Sequence, residues 1–112
     1  MNKISFADIG AVTATFLTES GEQGGQVVKV TGNGRVGPCL DNEKFCGVAL
    51  KPRLGAAAVQ VRGFVEVPCT GGLTPGWATL AADGKGGVKT APSGVEVLVV
   101  SAREDGTAVL CL

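Results

Sequence analysis

Ala56-Ala57-Ala58-Val59-Gln60-Val61-Arg62-Gly63-Phe64-Val65-Glu66-Val67-Pro68-Cys69 is the longest stretch of period-two alternation in the chain. Val59, Val61, Val65 and Val67 fall on one side, and Gln60, Arg62, Phe64 and Glu66 on the other. That pattern predicts a half-buried β-strand with a polar outer face. Gly63 interrupts the valine side at its middle, so the strand is expected to bend or bulge there and wrap a small barrel. Pro68 has no N–H to give to a ladder, which ends pairing on that side. The turn cluster Thr70-Gly71-Gly72-Leu73-Thr74-Pro75-Gly76 follows, and the strand pattern then starts again.

Composition points the same way. The chain has 112 residues, enough for one domain with a modest core. It is 45% hydrophobic, much of it Val and Ala, and holds 18 glycines, the mix expected of short strands joined by tight turns. An all-β, barrel-like single domain is the predicted fold. Ten basic and ten acidic residues cancel, so the charge footprint of a nucleic-acid binder is missing, and no tract is basic enough for a membrane surface. Residues 1–8 carry no apolar run of signal-peptide length and no stretch reaches membrane-spanning length, so the protein is expected to be made and kept in the cytoplasm, or in something assembled there.

Working outward, residues 1–9 offer only Ile4, Phe6 and Ile9 as sizeable apolar groups and are expected to form a free arm before a domain over 10–112. Strands are predicted at 11–18, 26–30, 35–39, 45–50, 77–80, 88–90, 95–101 and 107–112. The strand at 95–101 is expected to be buried on both faces. Thr31-Gly32-Asn33-Gly34 reads as a hairpin turn, and 41–44 as a single helical turn. An internal repeat emerges at an offset of 51: Gly25 with Gly76, Val48 with Val99, Gly55 with Gly106, Ala57 with Ala108. The Gly-rich hairpins match after a one-residue slip, Val36 against Val88. Two repeated strand blocks suit a small pseudo-symmetric β-barrel.

The chain has no histidine and no tyrosine, which removes Ser-His-Asp and Cys-His catalysis. Ser5, Ser20, Ser93 and Ser101 stand outside any Gly-x-Ser-x-Gly motif. Cys39, Cys46, Cys69 and Cys111 are at least seven positions apart, without Cys-x2-Cys spacing, so free thiols are expected before zinc or disulfides. Gly84-Lys85-Gly86-Gly87 lacks the phosphate-loop spacing and reads as a turn. The paired acids Glu19/Glu22, Asp41/Glu43 and Glu104/Asp105 lie in turns, where carboxylates are ordinarily solvated. No enzyme, cofactor or metal is predicted. Phe64, with its neighbour Arg62, interrupts a polar face, and Trp77 opens a strand after Pro75-Gly76. These three are the candidate subunit-contact residues.

Gly25-Gln26-Val27-Val28-Lys29-Val30, Gly47-Val48-Ala49-Leu50, Val61-Arg62-Gly63-Phe64-Val65-Glu66-Val67-Pro68 and Leu73-Thr74-Pro75-Gly76 together resemble the small phage and prophage proteins known as capsid cement or head decoration proteins. The resemblance covers about residues 10–112 through short Gly/Val-rich motifs. It implies a compact β-barrel-like fold and a homotrimer that reinforces the major capsid protein at three-fold sites. The location it implies is the virion surface, or the bacterial cytoplasm when a prophage expresses the chain. It also implies that an N-terminal arm contacts the capsid, which here would fall to Ile4, Phe6 and Ile9. The four cysteines have no counterpart in that family. Two other readings stand beside it: a ligand-binding or enzymatic module on a similar small β-fold, and a phage tail or baseplate component.

Overall fold

In a computed structural model the protein is all-β, and its described residues form ten strands in two blocks of five. The structure describes residues 10–18, 24–53 and 55–112, without the side chains of 51–53. The expected arm at 1–9, with Ile4, Phe6 and Ile9, lies outside the described residues. In the first block β1 (Val12–Thr18), β2 (Val27–Gly32), β3 (Arg35–Pro38), β4 (Gly47–Arg53) and β5 (Ala56–Arg62) close into a barrel in the order β1-β3-β2-β4-β5. In the second, β6 (Phe64–Pro68), β7 (Gly76–Ala82), β8 (Val88–Thr90), β9 (Val95–Ala102) and β10 (Thr107–Cys111) form a sheet in the order β6-β10-β9-β7-β8.

The two orders are one topology, and the repeat read from the sequence holds in register between β1 and β5 and, after its slip, at the hairpins. In contrast, β4 and β9 keep the order but not the offset: Ala49 pairs with Val59 and Val99 with Leu110. Leu17↔Ala56, Phe16↔Ala57, Thr15↔Ala58, Ala14↔Val59 and Thr13↔Gln60 pair β1 with β5. Every one of these pairs, advanced by 51, is a pair of β6 with β10, from Pro68↔Thr107 to Phe64↔Cys111. The hairpins repeat with the one-residue slip: Val30↔Val36 becomes Ala82↔Val88. The barrel closes through the parallel pair Thr18↔Val36, and its counterpart Cys69↔Val88 is a single parallel bridge. Even a loop bond repeats, since Thr18 N–H donates to Gly55 O and Cys69 N–H to Gly106 O, at 2.9 and 2.8 Å.

The long alternating stretch is therefore two strands rather than one. Gly63 ends β5 and starts β6, so the chain passes from barrel to second sheet at this residue. Its φ is +97°, and a Cβ there would stand 2.6 Å from the Gly10 backbone, so both conformation and close approach demand glycine. The polar face is also not uniformly exposed. Gln60 is 1% exposed, and its Nε2 donates to the carbonyls of Arg62 (3.1 Å) and Phe64 (3.0 Å). One buried amide thus bridges the joint and donates to a carbonyl on either side of it.

Packing follows from the two faces of each wall. Val28, Val36, Ala49 and Val59 fill the barrel, with Phe16, Cys46 and Val61 against them. Val27 and Val48 belong to the larger core, where they meet Val65, Val67, Leu80, Val97, Val99 and Leu110 of the second sheet. One outer wall of the barrel is thus covered by the inner face of the sheet. The β3–β4 connection adds Cys39 and Phe45 to the same core. Residues 41–42 form a turn with Asn42 at φ 70°, and no helix forms there. The connection is instead tied to β7 by Asn42 N–H to Ala82 O and Ala82 N–H to Glu43 O, both 2.9 Å. The strand β9 buries one face only: Val97 and Val99 are buried, Leu98 and Val100 half-buried.

Candidate functional site

Several chemistry-bearing side chains are occupied locally. Glu43 accepts from Lys29 Nζ at 2.6 and 2.7 Å and from Leu40 N–H at 2.7 Å, and the Lys29 bond leads in lowering its pKa. Asp41 pairs with Lys89 (2.7 Å) and Glu66 with Arg103 (3.4 Å). Asp105 accepts from Thr107 Oγ1 at 2.7 Å and is held below the usual range by that bond. Among the described residues no three His, Cys, Asp or Glu side chains converge as a metal site.

The Gly84-Lys85-Gly86-Gly87 loop answers its own resemblance to a phosphate cradle. Asp83 Oδ1 accepts the N–H groups of Lys85 (2.7 Å) and Gly87 (3.0 Å), while Oδ2 accepts from Thr70 Oγ1 (2.6 Å). Burial alone would raise the Asp83 pKa, but these bonds and the Lys85 charge outweigh it and hold the carboxyl low. The amides that would receive an anion already hold one. Sequence reasoning missed Asp83, because only the fold brings Thr70 to it.

All four cysteines are free. Burial pushes the Cys39 thiol up to about 11, with Glu43 adding to the shift, and burial also leads in raising Cys46 and Cys69. A thiol so raised is protonated at neutral pH and a poor nucleophile. Among the described residues, a pocket of about 100 Å³ lies between the blocks, lined by Phe45, Cys46, Val61 and Val97 with Arg62 and Glu96. It is well below the roughly 300 Å³ at which ligand clefts begin.

The feature that remains is a surface. Phe64 pairs with Cys111, Cys111 with Leu98, and Leu98 with Trp77, so these four side chains share one row across four strands. The row spans roughly 15 Å at ordinary strand spacing. It lies on the face opposite the core: the neighbours Val65, Leu110 and Val97 are buried, whereas Trp77 is 71% exposed and the other three are half-buried. The structure therefore brings two predicted contact residues, Phe64 and Trp77, onto one face. Arg62 stands apart from it, exposed on the far side of the Gly63 joint and in the wall of the small pocket. Cys111 and Leu98 were not legible as members, since only strand order places them between Phe64 and Trp77.

The first block has a row in the same place in the strand order, though not at the offset of 51. Thr13 pairs with Gln60, Gln60 with Val48 and Val48 with Val27. There Gln60, Val48 and Val27 are buried, and Val48 and Val27 pack beneath the second sheet. The wall that one block uses for packing is presented to solvent by the other. No family model matches the chain, and no curated protein matches it.

Proposed function

We propose that the chain is a structural, non-catalytic protein that decorates a phage or prophage capsid shell, acting as a homotrimer on the major capsid protein. The observation that carries the assembly half is the row Phe64–Cys111–Leu98–Trp77. The corresponding row of the first block packs in part beneath the second sheet, which supports reading this row as a contact surface. A second subunit covering it from another face makes a heterologous contact, which closes into a ring when the rotation permits. The decoration half rests on the resemblance of residues 10–112 to capsid cement proteins, and the all-β fold agrees with what that resemblance implies.

Sedimentation equilibrium at tens of micromolar tests the assembly. The expected result is a trimer that Trp77→Lys dissociates, because a cation would replace the most exposed apolar side chain of the contact. A monomeric wild type, or a trimer indifferent to both Trp77→Lys and Phe64→Ala, would contradict it.

A further inference from the structure

The barrel closes at one end of β1 only. On that side β3 reaches Leu17 and Thr18, and among the described residues no strand pairs with 12–16 there. The direction of each backbone group follows from the bonds at the closure. Thr18 N–H donates across to Gly55 O, next to β5, whereas Leu17 N–H donates the other way, to Gly34 O. Backbone groups alternate along a strand, so Phe16 and Ala14 face β5, and Thr15 and Thr13 face the open side.

The second block shows what a protected edge looks like. By the same alternation, with Leu112 N–H on Gly63 O and Cys69 N–H on Gly106 O, the open side of β6 belongs to Phe64, Glu66 and Pro68. Pro68 has no N–H, Glu66 carries charge, and the Phe64 carbonyl is taken by Gln60 Nε2. Those are devices by which proteins blunt an edge. The matching residues of β1 are Thr13, Thr15 and Leu17, with neither proline nor charge. The inner face behind them is open as well: Val65 and Val67 are buried, while their counterparts Ala14 and Phe16 are exposed and half-buried.

Charge names the occupant. Among the described side chains the barrel strands carry Lys29, Arg35 and Arg62 and no acidic residue. Arg35, on β3, pairs with Leu17 where the open edge ends, and Arg62 pairs with Val12 from β5, one strand behind the other end of that edge. Both are exposed, and neither has a carboxylate partner among the described residues. We infer that the open edge of β1 is an acceptor for one added strand, an extended partner segment that is uncharged over its middle and acidic at its ends. Backbone bonds to Thr13 and Thr15 supply the pairing, Ala14 and Phe16 receive its inward side chains, Arg35 meets one acidic end, and Arg62 attracts the other from one strand behind. That the partner is a capsid shell protein rests on the proposed function; the strand addition itself does not.

The experiment has two arms. In the first, wild type, Thr15→Pro, Thr15→Val and the double variant Arg35→Glu/Arg62→Glu are bound to undecorated shells from the phage or prophage that encodes the chain. Thr15→Pro removes an outward N–H and spares the bonds to β5, so the fold, checked by circular dichroism, is expected to survive. Thr15→Pro and the double variant should each weaken binding about tenfold or more, and Thr15→Val should not. In the second arm the acetylated, amidated peptide Asp-Val-Thr-Val-Thr-Val-Asp is titrated by NMR. It should shift the Thr13 and Thr15 amides, and its lysine-ended counterpart should bind more weakly. Wild type and Thr15→Pro binding shells alike would overturn the inference and leave the decoration reading standing. Peptide binding at β1 without shell binding would do the reverse. No binding in either arm would remove both.

Discussion

Gln60 looked, in the sequence, like one more polar residue on an outer face. It is the buried clasp of the joint between the blocks, donating to the carbonyls on both sides of Gly63. Gln60→Leu keeps the volume but strands two carbonyls, and should cost about 1–3 kcal/mol in urea unfolding. Gly63→Ala meets a positive φ and the Gly10 backbone together, and should cost on the order of 3 kcal/mol. Asp83 adds a pH-dependent contribution. Its folded pKa is depressed, so the stability it supplies is present above its unfolded value of about 4. That contribution fades as pH falls through the lower folded value. Wild type should therefore exceed Asp83→Asn by about 1–3 kcal/mol at pH 7. The gap should narrow below pH 4, and one that stayed constant down to pH 2 would remove the carboxylate from the account.

At the scale of elements, the contrast between β1 and β6 is an internal control: one register, two treatments of the edge. Native-state hydrogen exchange reads it directly. In the isolated protein the Thr15 amide should exchange fast while Ala14 and Phe16, bonded to β5, are protected. Protection of all three would mean that the edge is already covered. Much at this scale was legible beforehand. The alternation over 59–67, the Gly-rich turns and the slipped match of Val36 with Val88 all derive from local spacing, and the structure keeps them. What was not legible depends on partners distant in sequence. The fate of Gln60, the closure of the 84–87 loop by Asp83, and the membership of Leu98 and Cys111 in an outer row are set by strand order. The splitting of the long strand at Gly63 had a visible cause, the missing Cβ, but alternation runs through such a joint unchanged.

At the scale of the whole molecule, two copies of one strand plan meet asymmetrically. The first closes and packs an outer wall beneath the second, while the second leaves the equivalent wall in solvent. A small chain with a modest core gains from covering that wall with another copy. The measurement that tests this most directly is a cryo-electron-microscopy reconstruction of undecorated shells incubated with the protein. The account predicts density for three copies around each three-fold position, with Phe64 and Trp77 buried between neighbouring copies. Shells without added density, or bound copies whose Phe64–Trp77 row faces solvent, would contradict it.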